Sequence, residues 1–144
     1  MPEQIEGIAV GIRHSLQLRV DQRLAVPALA EAFAGFHGMP PVFATAFMVA
    51  FIEWACIEAL HDRLAPDQKT VGTHIDVSHV AATPIGMTVK AEVELIAAEG
   101  RSLRFRVRCS DQAGLIGEGF HERAIVDQAK FLKRVAARAG RSDV

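Results

Sequence analysis

Three polar side chains stand where this sequence is otherwise apolar: a hydroxyl at Thr45, a carboxylate at Glu53 and an imidazole at His79. Hydroxyl, carboxylate and imidazole are the parts of a hydrolytic nucleophile–base system. From Val42 to Ile57 the only polar side chains are Thr45 and Glu53. Taking a carboxylate out of water costs several kcal/mol unless it is paired or neutralised. Glu53 therefore reads either as a satisfied core or interface residue, or as a catalytic carboxylate tuned by its surroundings.

Thr45 stands at the expected start of a helix, where an N-cap role alone would explain a hydroxyl. A helix start also presents free N–H groups and a positive dipole end, suited to an oxygen that becomes an oxyanion. His79 shares strand parity with Ile75 and Val77, which puts it on an apolar face as a core histidine or a proton carrier. The other histidines, His14, His37, His61, His74 and His121, show no metal-type spacing. His74 and His79, five apart on a strand, point to opposite faces, and no metal site is expected. There is no nucleophile elbow, P-loop or dinucleotide fingerprint.

Geometry sets a condition. On one continuous helix Thr45 and Glu53 are eight residues apart, roughly 12 Å along the axis, beyond a direct hydrogen bond. Either Thr45 lies on a bent loop that folds back, or the site is completed across a dimer.

The elements that must position these groups follow from periodicity. Ile8 to Val20 reads as a first strand and Pro27 to Gly35 as a short helix. The punctuated stretch "GFHGMPPVF" precedes a long helix over about Thr45 to Leu64. Val71 to His79, Val89 to Leu95, Leu103 to Cys109 and Leu115 to Val126 read as strands of an antiparallel meander. A three-residue loop, Ala98-Glu99-Gly100, would set Glu94 opposite Arg104, Glu92 opposite Arg106 and Lys90 opposite Arg108. Asp127 can cap a terminal helix over Gln128 to Ala139. The sum is an α+β domain with a sheet wrapped around one long helix, the pattern of a hotdog fold.

Composition bounds the rest. The 144 residues fit one domain spanning 1–144, and a net charge of −1 argues against an electrostatic nucleic-acid binder. Two cysteines without framework spacing point to a reducing, cytoplasmic setting. The stretch MPEQIEGIAV lacks the features of a signal peptide. Val42 to Leu60 is interrupted by Glu53 and Glu58, so a buried helix is expected there and no membrane span. The basic run from Lys133-Arg134 to Arg141 reads as a solvated helix face.

The strings "VFATAFMVAFIEWAC", "VGTHIDVSHVAATPIGMTV" and "GEGFHERAIV" resemble the fluoroacetyl-CoA thioesterase family of hotdog proteins, over about residues 42–126. The resemblance implies an acyl-CoA thioesterase in which Thr45, Glu53 and His79 are catalytic. It implies a backbone contact from Gly72 near the thioester, a binding-site role for Arg123, and a homodimer with active sites near the interface. It implies no separate cofactor, since CoA is part of the substrate. Arg123 is also the leading candidate to meet the CoA phosphates. In the family's fluoroacetate-specific member two phenylalanines form a lid; this chain keeps Phe36 and has Met39 at the second position. Met is flexible and fills irregular space, so a looser lid and a general short or unusual acyl-CoA are expected. Two other classes fit the same fold: a non-catalytic hotdog protein that binds an acyl-CoA or another small apolar ligand, and a hotdog enoyl-CoA hydratase. Glu53 is left as either a nucleophile forming an anhydride or a base acting on water, and Thr45 as either a nucleophile or a substrate-orienting group.

Overall fold

Val89, Ala91, Val93 and Leu95 are all buried, and so are Leu103, Phe105, Val107 and Cys109 on the neighbouring strand. The charged residues between them face the other side, as period-2 alternation requires. That two-sided pattern builds the centre of a five-stranded antiparallel sheet in the order β1-β3-β4-β5-β2. The computed structural model describes residues 7–140. The first six residues of the N-terminal stretch, and Arg141 of the basic run, lie outside them.

The strands are β1 (Arg13–Arg19), β2 (Gln68–Val77), β3 (Thr88–Glu99), β4 (Ser102–Asp111) and β5 (Gly114–Asp127). One long helix, α1 (Thr45–Leu60), packs on the inner face, and α2 (Gln128–Ala139) follows β5. Met48, Phe51, Ile52, Ala55, Cys56 and Leu60 are the buried side of α1. They meet the inward row of β3 and β4 in one core. This is the α+β hotdog arrangement. No helix among the described residues is long and apolar enough to cross a membrane.

Several expected boundaries move. The first strand starts at Arg13 rather than Ile8, just past Gly11 at φ 103°. The expected helix over Pro27 to Gly35 is two short 3₁₀ segments, Val26–Glu31 and Ala34–Phe36. The long helix stops at Leu60, and His61–Arg63 continues as one 3₁₀ turn. The β3–β4 register also differs from the three-residue loop: the turn is Gly100-Arg101, with Gly100 at φ 59°. A bulge between Leu95 and Ala97 absorbs the extra residue and keeps both apolar rows inward. Glu94 therefore faces Arg106, Glu92 faces Arg108, and Lys90 meets Ser110 instead of a like charge.

The sheet covers one side of α1 and not its whole circumference. Ala46, Ala50, Trp54 and Ile57 form an exposed stripe, with Trp54 and Ile57 each 43% exposed. Beside it, β2 is an edge strand, and its Ile75 is 40% exposed.

Candidate active site

The helix begins after Ala44, which has extended dihedrals and no side-chain cap bond. Thr45 is thus the first helical residue and not the cap. Its hydroxyl instead lies 2.7 Å from His79 Nδ1. Neighbouring bonds hold that pairing. Ser78 N–H donates to Glu118 O and Val80 N–H to Ile116 O, fixing both sides of His79. Phe43 N–H donates to Thr83 O, tying the helix start to the segment that carries His79. The Phe43 ring meets the imidazole edge to face, 6.4 Å between centroids. His79 lies just beyond the end of β2 at Val77, in this tethered segment rather than on the strand.

Burial pushes the His79 pKa below its ordinary 6.5, and the Ala81 backbone works weakly the other way. A neutral imidazole with its lone pair at Nδ1 can accept the Thr45 proton. His79 Nε2 is buried without a hydrogen-bond partner in good geometry among the described residues.

Glu53 belongs to a second cluster. Its Oε1 accepts from Arg123 Nη1 at 2.9 Å. Arg123 is 3% exposed and donates from Nε to the Thr70 hydroxyl at 2.9 Å and from Nη2 to the Thr70 carbonyl at 2.8 Å. Its Nη1 is also 3.1 Å from His121 Nε2, and His121 Nδ1 is 2.7 Å from His74 O. Four of the five guanidinium N–H groups thus have acceptors in range. The Glu53 side chain keeps 39% of its surface open. It opens into a groove of about 440 Å³ lined by Val49, Gly72, Thr73, His74, Ile75 and His121.

Gly72 explains why the carboxylate fits. A Cβ at residue 72 would sit 2.7 Å from Glu53 Oε1 and 3.3 Å from His121 Cε1. Gly72 pairs with Arg123 across the β2–β5 ladder, so the absent side chain leaves room for the carboxylate beside that pair.

The expected residues thus fall into two groups. Thr45 and His79 form one pair, and Glu53, Gly72 and Arg123 form the other, joined by His121 and Thr70. Thr45 and Glu53 lie on one continuous helix, so the bent-loop alternative does not hold and the roughly 12 Å separation stands. The groove at Glu53 is not lined by Thr45 or His79. Arg123 is not at a rim facing phosphates; it is buried against Glu53, because that carboxylate and Thr70 take up its donors. Phe36 is half-buried in an edge-to-face pair with the exposed Phe33, and Met39 is 45% exposed.

His121 and Thr70 were not singled out by sequence. For His121 a signal existed: His121, Arg123 and Ile125 share one parity on β5, and all three are buried. Among the described residues no group of three or more His, Cys, Asp or Glu could hold a metal ion. A larger depression of about 750 Å³ lies on the outer sheet face among Arg13, Glu92, Glu94, Arg106 and Arg108, far from this chemistry.

Comparison with known proteins shows the family and the fold. The sequence model of the family described as fluoroacetyl-CoA-specific thioesterase matches residues 20–129, a longer span than the 42–126 expected from the quoted strings. The chain is 42% identical over 130 residues to a fluoroacetyl-CoA thioesterase of Streptantibioticus cattleyicolor, covering 90% of this chain and 94% of that protein. A crystal structure of a fluoroacetyl-CoA thioesterase superposes with a TM-score of 0.88 at 40% identity, covering 95% of this chain and 100% of the other. A thioesterase superfamily member from Thermus thermophilus superposes with a TM-score of 0.81 at 26% identity, over 92% and 96% of the two chains.

Proposed function

The chain belongs to the fluoroacetyl-CoA-specific thioesterase family, and from that premise we propose that it hydrolyses a short or unusual acyl-CoA to the free acid and CoA. The observation that carries the chemistry is the 2.7 Å contact between the Thr45 hydroxyl and His79 Nδ1. In this reading Thr45 Oγ1 attacks the thioester carbonyl while His79 accepts its proton. The C–S bond breaks, and His79 returns the proton to the departing thiolate. Water then attacks the acyl-threonine carbonyl, its proton passes to a base, and as the ester C–O bond breaks that proton is returned to the departing Thr45 Oγ1, freeing the acid and regenerating the hydroxyl. A positioned acid–base group of this kind contributes about 10²–10⁴-fold in rate. The N–H groups of the first helical turn lack intrahelical acceptors and are the first candidate donors to the developing oxyanion. The Gly72 N–H, beside the Glu53 carboxylate, is the second candidate donor.

Glu53 is the base that takes the proton from water. The Arg123 guanidinium holds one of its oxygens and leaves the open side of the carboxylate to the groove. Because Thr45 and Glu53 are too far apart on α1 to act together in one chain, the working site combines Thr45 and His79 of one subunit with Glu53 of another. The free edge of β2 and the stripe Ala46, Ala50, Trp54 and Ile57 support a homodimer. An unpaired strand edge beside exposed apolar side chains is a surface that a second copy would cover.

On this reading CoA enters as part of the substrate, no separate cofactor takes part, and the enzyme works in the cytoplasm. If Phe36 and Met39 form the lid that the family resemblance implies, the flexible, exposed Met39 makes it loose, and fluoroacetyl-CoA is one substrate among several short acyl-CoAs.

Thiol release from fluoroacetyl-, acetyl-, propionyl- and crotonyl-CoA tests the reading. Turnover of at least one, abolished in Thr45→Val and Glu53→Gln, is expected. Ligand binding with no thiol release from any would leave a binding module. Loss of the crotonyl-CoA enone absorbance without thiol release would mark a hydratase.

A further inference from the structure

His121 is buried, yet nothing in the proposed reaction passes through it. Its two ring nitrogens have partners of opposite kind. His74 O can only accept, so Nδ1 at 2.7 Å carries the hydrogen and donates. Arg123 can only donate, so Nε2 at 3.1 Å from Nη1 is the unprotonated acceptor. These partners set the tautomer: His121 is neutral, with its proton on Nδ1. The same Nη1 also donates to Glu53 Oε1 at 2.9 Å, and His121 Nε2 lies 4.0 Å from that oxygen.

We propose that His121 is a positioning residue for the reaction: its Nε2 accepts one Nη1 hydrogen of Arg123, so that the other is aimed at Glu53 and holds the carboxylate toward the groove. This rests on the reading of Glu53 as the base. The chain of contacts runs from the backbone of the exposed His74 on β2 through His121 and Arg123 to Glu53, and the His121–Arg123 link at its centre is buried. Thr70 holds the opposite edge of the guanidinium through Nε and Nη2, leaving Nη1 as the edge that His121 must orient. Without an acceptor at Nε2 one buried Nη1 hydrogen would be left unpaired, and the planar guanidinium would shift as a whole to satisfy it, straining its Thr70 bonds and moving the carboxylate it holds. Misplacement of a reacting group by about 1 Å is enough to cost on the order of 10²-fold in rate. A buried network of this kind rigidifies only when every donor and acceptor is matched.

Two side chains separate this role from a merely structural one. Gln at residue 121 extends an amide oxygen to the place of Nε2 but loses the donor to His74 O. Asn keeps a donor near Nδ1 and loses the acceptor for Arg123. Purified, folded His121→Gln, His121→Asn and Glu53→Gln are compared with wild type in kcat and KM on fluoroacetyl-CoA. Expected is a kcat for His121→Asn about tenfold or more below wild type with KM nearly unchanged. His121→Gln should recover most of that loss. Equal kcat in the Gln and Asn variants, or a better Asn variant, would overturn the proposal while leaving Glu53 as the base if Glu53→Gln is inactive. Turnover retained in Glu53→Gln would remove the base itself and the positioning role with it. Ring-nitrogen NMR of wild type at neutral pH gives a readout without any variant. A pyridine-like Nε2 and pyrrole-like Nδ1 for His121 are expected, and the reverse assignment contradicts the proposal.

Discussion

His79 Nδ1 lies 2.7 Å from the Thr45 hydroxyl although 34 residues separate them in the chain. The contact exists because Phe43 N–H is bonded to Thr83 O while Ser78 and Val80 are bonded to β5, which draws the helix start and the segment after β2 together. A hydroxyl so placed should act as a nucleophile. Thr45→Val keeps the shape and removes the oxygen, and its kcat should fall on the order of 10²-fold or more. Thr45→Ser should retain the larger part of wild-type turnover. Steady-state thiol release checks both, with circular dichroism to show that each variant is folded. Near-equal rates for Val and wild type would remove Thr45 from the chemistry.

Burial lowers the His79 pKa, so the imidazole stays neutral below the usual 6.5. Neutral His79 is the form that accepts the Thr45 proton. kcat/KM should therefore hold its plateau through pH 6.5 and fall only as the pH drops through the depressed pKa. A pH–rate profile with its acid midpoint above 6.5 would contradict this.

Stability should follow the same sign. His79 and His121 are both lowered from 6.5, mainly by burial. Above that pH both are neutral in the folded and unfolded chains and contribute no pH dependence. Below it the unfolded chain takes up protons that the folded one refuses, so unfolding is favoured until the folded pKa values are reached. Urea unfolding should give lower stability at pH 5.5 than at 7.5, and His121→Gln should flatten part of that slope. An unchanged slope in the variant would assign the acid loss to other groups.

At Gly72 a methyl group would meet Glu53 Oε1 at 2.7 Å. That oxygen ends a flexible side chain, so Gly72→Ala should fold and instead push the carboxylate out of place. Loss of kcat by about tenfold or more is expected, with a change in unfolding free energy of roughly 1 kcal/mol or less. A variant with wild-type kcat would show that the position of Glu53 is not critical.

Much of this architecture was legible in the sequence because alternation is strict where a strand has one wet face. Val89 to Leu95 and Leu103 to Cys109 show it, and they form the centre of the sheet. Their register was less legible. The bulge between Leu95 and Ala97 is a backbone choice that no side-chain pattern announces. Glu53 stood out because a carboxylate in an apolar helix needs a partner, but the identity of that partner depends on β5 lying beside β2. The family resemblance points to Arg123 as a binding-site residue, and its charge alone suggests a phosphate partner. Its burial follows from its parity with Ile125, and the same parity would have pointed to His121. The exposed stripe on α1 was hidden by the reverse problem: its apolar residues look like core until a single chain is seen to leave them uncovered.

The division of the site between two subunits is tested most directly by mixing inactive variants. Thr45→Ala and Glu53→Gln are each purified, unfolded together and refolded as a mixture. If the site combines Thr45 and His79 of one chain with Glu53 of the other, each mixed dimer contains one site with every group intact. Half the dimers are then mixed and half of their sites work, so activity should return to roughly a quarter of wild type. If the three groups act within one chain, every subunit carries a defect and the mixture will stay as inactive as its parents.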